Sequence, residues 1–274
     1  MWEAKDFFDL EGIEHRELFL AGEPVWEALN RLKDYLFSLF DQPWPLKGIR
    51  GLVERPLAIH QGRTLHGVEV SAGGAGEGVQ SHHQGLRLEG AAVVLPGAYL
   101  SDDRILLGPG TVVEPGALIK GPTVIGANCE VRQGAYVRGD CLVGSGCIVG
   151  HTTEIKASIM LDGARAGHFA YIGDSILGRE VNLGAGTKLA NLRMLPGPII
   201  IASGKERLNT GRRKLGAVLG DRTESGCNSV TSPGTLMGPR CLVYPGVVVP
   251  AGYYPGRTFV SPARDSLRIV KHEP

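Results

Sequence analysis

The chain has 274 residues, with 29 Lys and Arg against 28 Asp and Glu, a balance that offers no electrostatic footprint for nucleic acid or an anionic membrane surface. No apolar run approaches the roughly 20 residues of a membrane-spanning helix, and the opening Met1-Trp2-Glu3-Ala4-Lys5-Asp6 does not read as a signal peptide, so the expected location is the cytoplasm. Glycine, 40 residues in all, is at about twice its average usage and suits a fold built from corners.

Residues 1–46 form a distinct segment. From Pro24 to Phe40 the apolar residues Val25, Trp26, Leu29, Leu32, Leu36, Leu39 and Phe40 recur at three- and four-residue steps, which predicts an amphipathic helix with Pro24 in its first turn. Pro43 and Pro45 stop it. Its apolar face needs a partner, most simply an end or a side of the β structure that follows. Residues 47–106 then read as β with imperfect register, in Leu57-Ala58-Ile59, Val68-Glu69-Val70, Leu86-Arg87-Leu88 and Val93-Val94-Leu95, and are expected to be irregular first coils. The loop Gly73-Gly74-Ala75-Gly76-Glu77-Gly78 lacks the Gly-Lys-Ser/Thr of a phosphate-binding loop, and His82-His83 read as loop residues rather than ligands.

The chain is organised around Leu107 to Ile155. Every sixth residue is aliphatic: Leu107, Val113, Ile119, Ile125, Val131, Val137, Val143, Val149 and Ile155. Two positions before them runs a second column, Ile105, Thr111, Ala117, Thr123, Cys129, Ala135, Cys141, Cys147 and Thr153, every member after the first being small. A period of six is neither helical nor a plain strand alternation. It fits a short strand and a corner, three to a coil, stacked as a solenoid. Cys129, Cys141, Cys147 and Cys241 fall in the small column and read as buried apolar thiols, not as disulfides or metal ligands.

After Ile155 the register slips by one residue to Met160, Ala166 and Ile172, and again to Leu177, Leu183 and Leu189. Residues 192–213 break the pattern, which resumes at Leu219, Met237, Val243 and Val249; the interruption reads as a loop thrown out of a continuing solenoid, and loops of that length are usually functional. The solenoid domain is thus bounded at 107–252, with 253–274 as a tail.

The hexad, as in Val143-Gly144-Ser145-Gly146-Cys147-Ile148, resembles that of the hexapeptide-repeat acyltransferases. The resemblance implies a mainly β protein, a left-handed parallel β-helix of triangular section preceded here by an α-helical segment. The slips bracket a polar cluster. Arg138 and Lys156 lie 18 residues apart, so they should stack on one face, where two cations repel unless an anion separates them. His168, Tyr171, Asn182 and Asn191 stand at the slipped corners. The run Glu154-Ile155-Lys156, Ala166-Gly167-His168-Phe169-Ala170-Tyr171-Ile172-Gly173-Asp174 and Val181-Asn182-Leu183-Gly184-Ala185-Gly186-Thr187 is similar to the C-terminal acetyltransferase domain of the bacterial bifunctional enzymes that make UDP-N-acetylglucosamine. That likeness implies a catalytic base at His168 and sugar-phosphate contacts at Arg138, Lys156, Tyr171, Asn182 and Lys214. It implies acetyl-CoA contacts at Ala185, Asn191, Leu192, Cys227, Pro245 and Arg264, and a homotrimer with sites between subunits.

The sequence also departs from that pattern. Asn191 and Lys214, close together in the family, are parted by the 192–213 loop; Cys227 stands where the family has Ser and Pro245 where it has Ala. No nucleotidyltransferase motif precedes the solenoid. The expected activity is transfer from acetyl-CoA to an amino-sugar 1-phosphate, without a metal. The alternatives are O-acetylation of another sugar and a non-catalytic sugar-nucleotide-binding or scaffold protein. A zinc carbonic anhydrase of the same fold would need three converging histidines, and His151 and His168 lack the paired spacing.

Overall fold

A computed structural model describes residues 1–72, 79–203 and 206–262. From Ala92–Val94 to Phe259–Val260 the described strands wind eight coils and begin a ninth, each coil laying one short strand on each of three parallel sheets. We call the sheets flank 1 (with Arg165–His168), flank 2 (with Tyr171–Gly173) and flank 3 (with Ser158–Met160). The hexad sets this geometry: the aliphatic member of each strand points into the prism, and Val113, Ile119, Val131, Val137 and Ile155 are wholly buried. The small column fills the corners, where Thr111, Thr123, Cys141, Cys147 and Thr153 are likewise closed off from water. Val113 pairs with Val131 and Val137 with Ile155, so one coil is 18 residues.

The two slips occupy one place. Val143 pairs with Met160 and Ile155 with Ile172, a step of 17, and the missing residue comes from the corner between flanks 2 and 3. One coil later that same corner throws out the insertion. Its ends meet in a bridge between Leu192 and Lys214 and in a bond from Leu215 N–H to the Asn191 carbonyl at 3.0 Å. Between them is a hairpin, Ile200–Ser203 against Glu206–Asn209, so the expected loop is an ordered β-hairpin. Flank 3 resumes directly with Ala217–Leu219.

The helix forms over Glu27–Ser38 and is called α1. Its apolar stripe, Leu29, Leu32 and Leu36, lies with Phe7, Leu18 and Trp26 against the outward residues of flank 3: Val124, Leu142, Ile159, Ile176, Val218 and Leu236. Ile199 and Ile201 of the insertion join this second core. The partner of α1 is therefore a side of the solenoid, and burying each such aliphatic side chain is worth roughly 1.5–3 kcal/mol.

The expectation of irregular first coils needs correction. Gly51–Leu52 and Leu57–His60 run antiparallel to Tyr99–Leu100 and Ala92–Val94, so they close the end of the solenoid instead of winding it. An antiparallel cap of this kind covers the row of unpaired backbone groups that a first coil would expose. Glu69–Ala72, Val79–His83 and Leu86–Arg87 form a separate three-stranded sheet. The segment expected as a tail also winds on: Val243 pairs in parallel with Val260. The glycine-rich loop 73–78 lies outside the described residues.

Candidate functional site

His168 ends the strand Arg165–His168 and stands exposed at the corner between flanks 1 and 2. A ladder of backbone bonds runs along this corner: Phe169 N–H to the His151 carbonyl (2.9 Å), Gly186 N–H to His168 (3.0 Å), Asn228 N–H to Ala185 (2.7 Å) and Gly246 N–H to Cys227 (2.8 Å). His168, Ala185 and Cys227 therefore follow one another coil by coil, with Pro245 in the next coil at the same edge, although up to 77 residues separate them (245 − 168). Cys227 and Pro245 are exposed. At the Gly184-Ala185-Gly186 corner, two of the three N–H groups are engaged, Gly184 to Ser225 O at 2.8 Å and Gly186 to His168 O, and among the described residues that of Ala185 has no partner.

Flank 2 runs from the His168 corner toward the shortened one. Here Arg138 and Lys156 do fall in register, as expected from their spacing, but each cation has its own carboxylate. Arg138 donates to Glu154 at 2.6 Å, which raises its pKa, and Lys156 to Asp174 at 2.7 Å. The inference that an external anion must part them is thus overturned: the chain supplies the anions. Asp174 also accepts from the Asn191 amide at 2.5 Å and faces Arg212 of the insertion at 3.9 Å, while the Tyr171 hydroxyl meets Asn191 at 3.4 Å. Burial of Arg212 lowers its pKa. Gly173 makes this meeting possible, because a Cβ there would stand 2.6 Å from the Tyr171 oxygen and 2.7 Å from the Asn191 nitrogen.

The structure thus brings Lys156, Tyr171 and Asn191 together around Asp174, with Arg138 one coil away. Lys214, far from Asn191 in sequence, is returned beside Leu192 by the closed base of the insertion. Asn182 stands apart: it is exposed on flank 1, paired in register with Arg165. Arg264 lies outside the described residues. Glu154, Asp174 and Arg212 were missed by the sequence reading. Asp174 sits one residue past Gly173, the register partner of Lys156, where the shortened corner begins. His151, which pairs with His168 and holds its Nδ1 2.9 Å from the Gln133 carbonyl, adds a second imidazole to the corner. Among the described residues no group of three or more His, Cys, Asp or Glu is placed to hold a metal ion. No helix there is long and apolar enough to cross a membrane.

Comparison with known proteins finds that the family model described as the GMPPB C-terminal domain matches residues 119–224. A bifunctional sugar-1-phosphate nucleotidylyltransferase/acetyltransferase of Sulfurisphaera tokodaii is 39% identical over 101 residues, covering 37% of this chain and 25% of that protein. The acetyltransferase YaiX of Escherichia coli is 32% identical over 158 residues, covering 56% of this chain and 69% of its own length. A solved UDP-N-acetylglucosamine acyltransferase of Francisella novicida aligns over 57% of this chain and 56% of that one, at 14% identity and a TM-score of 0.45. The matched stretch spans about a quarter of the length of the bifunctional relatives.

Proposed function

Because the chain belongs to the hexapeptide-repeat acetyltransferases, whose fold is the left-handed parallel β-helix, we propose that it transfers an acetyl group from acetyl-CoA to the amine of a hexosamine 1-phosphate. The observation that carries this reading is the corner column: an exposed imidazole at His168, followed coil by coil by Ala185, Cys227 and Pro245, beside a flank that bears Arg138, Lys156 and Tyr171.

In this reading acetyl-CoA lies along the corner, with its thioester at Ala185 and its arm passing the exposed Cys227 and Pro245. His168 takes a proton from the sugar amine as nitrogen attacks the thioester carbon. General-base help of this kind is worth about 100 to 10,000-fold, and an imidazole titrates in the right range for it. The unengaged Ala185 N–H is available to the oxyanion that develops on the acetyl oxygen. The attack forms the C–N bond, and collapse of the tetrahedral oxyanion restores the carbonyl and breaks the C–S bond; the proton held by His168 passes to the leaving sulfur. Arg138 would leave Glu154 for the sugar phosphate, since a guanidinium binds phosphate bidentately. Lys156 is less free to do so. It is held in the Asp174 network, where it orients Tyr171 through Asn191.

His168 and Arg138 are both exposed, so one chain alone would bury little of such a ligand. A second copy would close the site, and Asn182, on the far side of the His168 corner, would then serve the neighbouring site. The homotrimer, the cytoplasmic setting and the choice of sugar all belong to this proposal. The test is thiol release from acetyl-CoA with glucosamine 1-phosphate, galactosamine 1-phosphate and simple hydroxyl acceptors. The amino sugar phosphates should turn over and His168→Ala should lose at least 100-fold in kcat with an unaltered melting temperature. Equal turnover by that variant would sink the assignment.

A further inference from the structure

The corner between flanks 3 and 1 turns, coil after coil, on a residue in the left-handed region. In the first four full coils these are Gly110, Asn128, Gly146 and Gly163, residue types that take this conformation readily. In the last coils they are Glu180 (φ 55°), Arg222 (59°), Arg240 (59°) and Arg257 (62°). Arginine has no conformational advantage there, and the three arginines are exposed, so packing does not call for them. Backbone bonds from Arg222 N–H to Arg179 O, Arg240 N–H to Asp221 O and Arg257 N–H to Pro239 O, each 2.8 Å, stack them at one-coil intervals, about 4.8 Å.

Beside this column, between the corner and the N-terminal segment, is a cavity of about 680 Å³ whose lining includes Lys5, Arg179, Arg222 and Arg240. Its three carboxylates, Asp9, Glu180 and Asp221, are each engaged within the cleft wall, and Lys5 is paired with Glu3 at 3.1 Å. Glu180 holds Arg222 at 2.7 Å; Asp221 accepts from the N–H groups of Asp9 and Arg179, both at 2.8 Å; Asp9 accepts from Glu11 N–H at 3.1 Å. Among the described residues the side chains of Arg240 and Arg257 have neither hydrogen bond nor ion pair.

We infer that this cleft binds a small anion carrying two or more phosphate groups. Glu180 answers Arg222, but the next two guanidiniums of the column, Arg240 and Arg257, have no answering anion among the described residues, and each presents a planar fork suited to phosphate oxygens. A single carboxylate would engage one fork; a diphosphate spans two. The cleft is at a different edge of the prism from His168, so it does not depend on the transferase reading.

The test is calorimetric titration of the full chain with inorganic pyrophosphate, a nucleoside diphosphate and the unphosphorylated nucleoside. Arg222→Asn and Arg240→Asn supply the residue type that Asn128 already provides in this column, so the fold should survive with a melting temperature equal to or above that of the parent. We expect pyrophosphate binding that weakens with salt, falls at least tenfold in the double variant and is unchanged in Arg138→Ala. The nucleoside alone should not bind. The inference is overturned if the parent takes up no pyrophosphate at millimolar concentration, if the double variant binds as tightly, if the loss follows Arg138→Ala instead, or if the bare nucleoside binds as well.

Discussion

Asp174 is the residue on which the polar flank turns. Its side chain is 8% exposed, yet it faces three nitrogen-bearing groups, Lys156, Asn191 and Arg212. A buried carboxylate is stable only with such company, and removing its charge leaves the cations without an answer. Asp174→Asn keeps the size of the group and removes the charge from beside a Lys156 that is itself only 19% exposed. The expected cost is about 3 kcal/mol, read as a lower urea midpoint with an unchanged slope. Cysteine chemistry gives a second residue-level contrast. Burial pushes the Cys141 thiol up to about 12, so almost none of it is thiolate at pH 8, whereas Cys227 is exposed. Iodoacetamide should modify Cys227 in the folded protein and spare Cys141. If Cys227 lies under the cofactor arm, acetyl-CoA should slow its alkylation several-fold, as followed by mass spectrometry of the peptides.

At the scale of elements, what could be read in the sequence was whatever a local rule dictates. The hexad columns place Val113 through Ile155 inside the prism and the threonines and cysteines at its corners, and the three- and four-residue steps from Val25 to Phe40 yield α1 to within three residues at its start. Partners fixed only by tertiary contact were not legible. Nothing in Leu57-Ala58-Ile59 says that it pairs antiparallel, and nothing in 192–213 says that Ile199 and Ile201 return to the flank that α1 covers. The spacing of Arg138 and Lys156 gave their stacking correctly, but Glu154, which reaches Arg138 from the neighbouring strand, and Asp174, at the shortened corner, answer them through contacts between coils that no local rule dictates. Because α1 and the insertion share one apolar core, they should act as a unit. Leu32→Ala, at a site 1% exposed, should cost about 2–5 kcal/mol and expose the hairpin Ile200–Ser203 to proteolysis along with the helix. Cleavage confined to the helix would mean that the insertion stands without it.

The molecule as a whole is a one-dimensional stack, in which each coil touches chiefly the coils before and after it. Its two ends differ. The first coils are closed by antiparallel strands, with Leu46 and Val53 buried beneath them, and the middle coils are braced by α1 and the insertion. Among the described residues the last strand, Phe259–Val260, pairs with Leu242–Val243 alone, and Leu242, Tyr244, Val248 and Phe259 are exposed nearby. Nearest-neighbour stability then predicts that opening begins at this end and moves inward. The buried thiols report on it in order. Cys241 leads into Leu242–Val243, the strand that pairs with the last one, while Cys129, Cys141 and Cys147 lie in the braced middle, and all four are buried when folded. In rising urea, below the main transition, Cys241 should become reactive first, with an opening free energy lower than that of the other three by several kcal/mol. Simultaneous labelling of all four would show instead that α1, by tying the side of the prism together, makes the stack unfold as one.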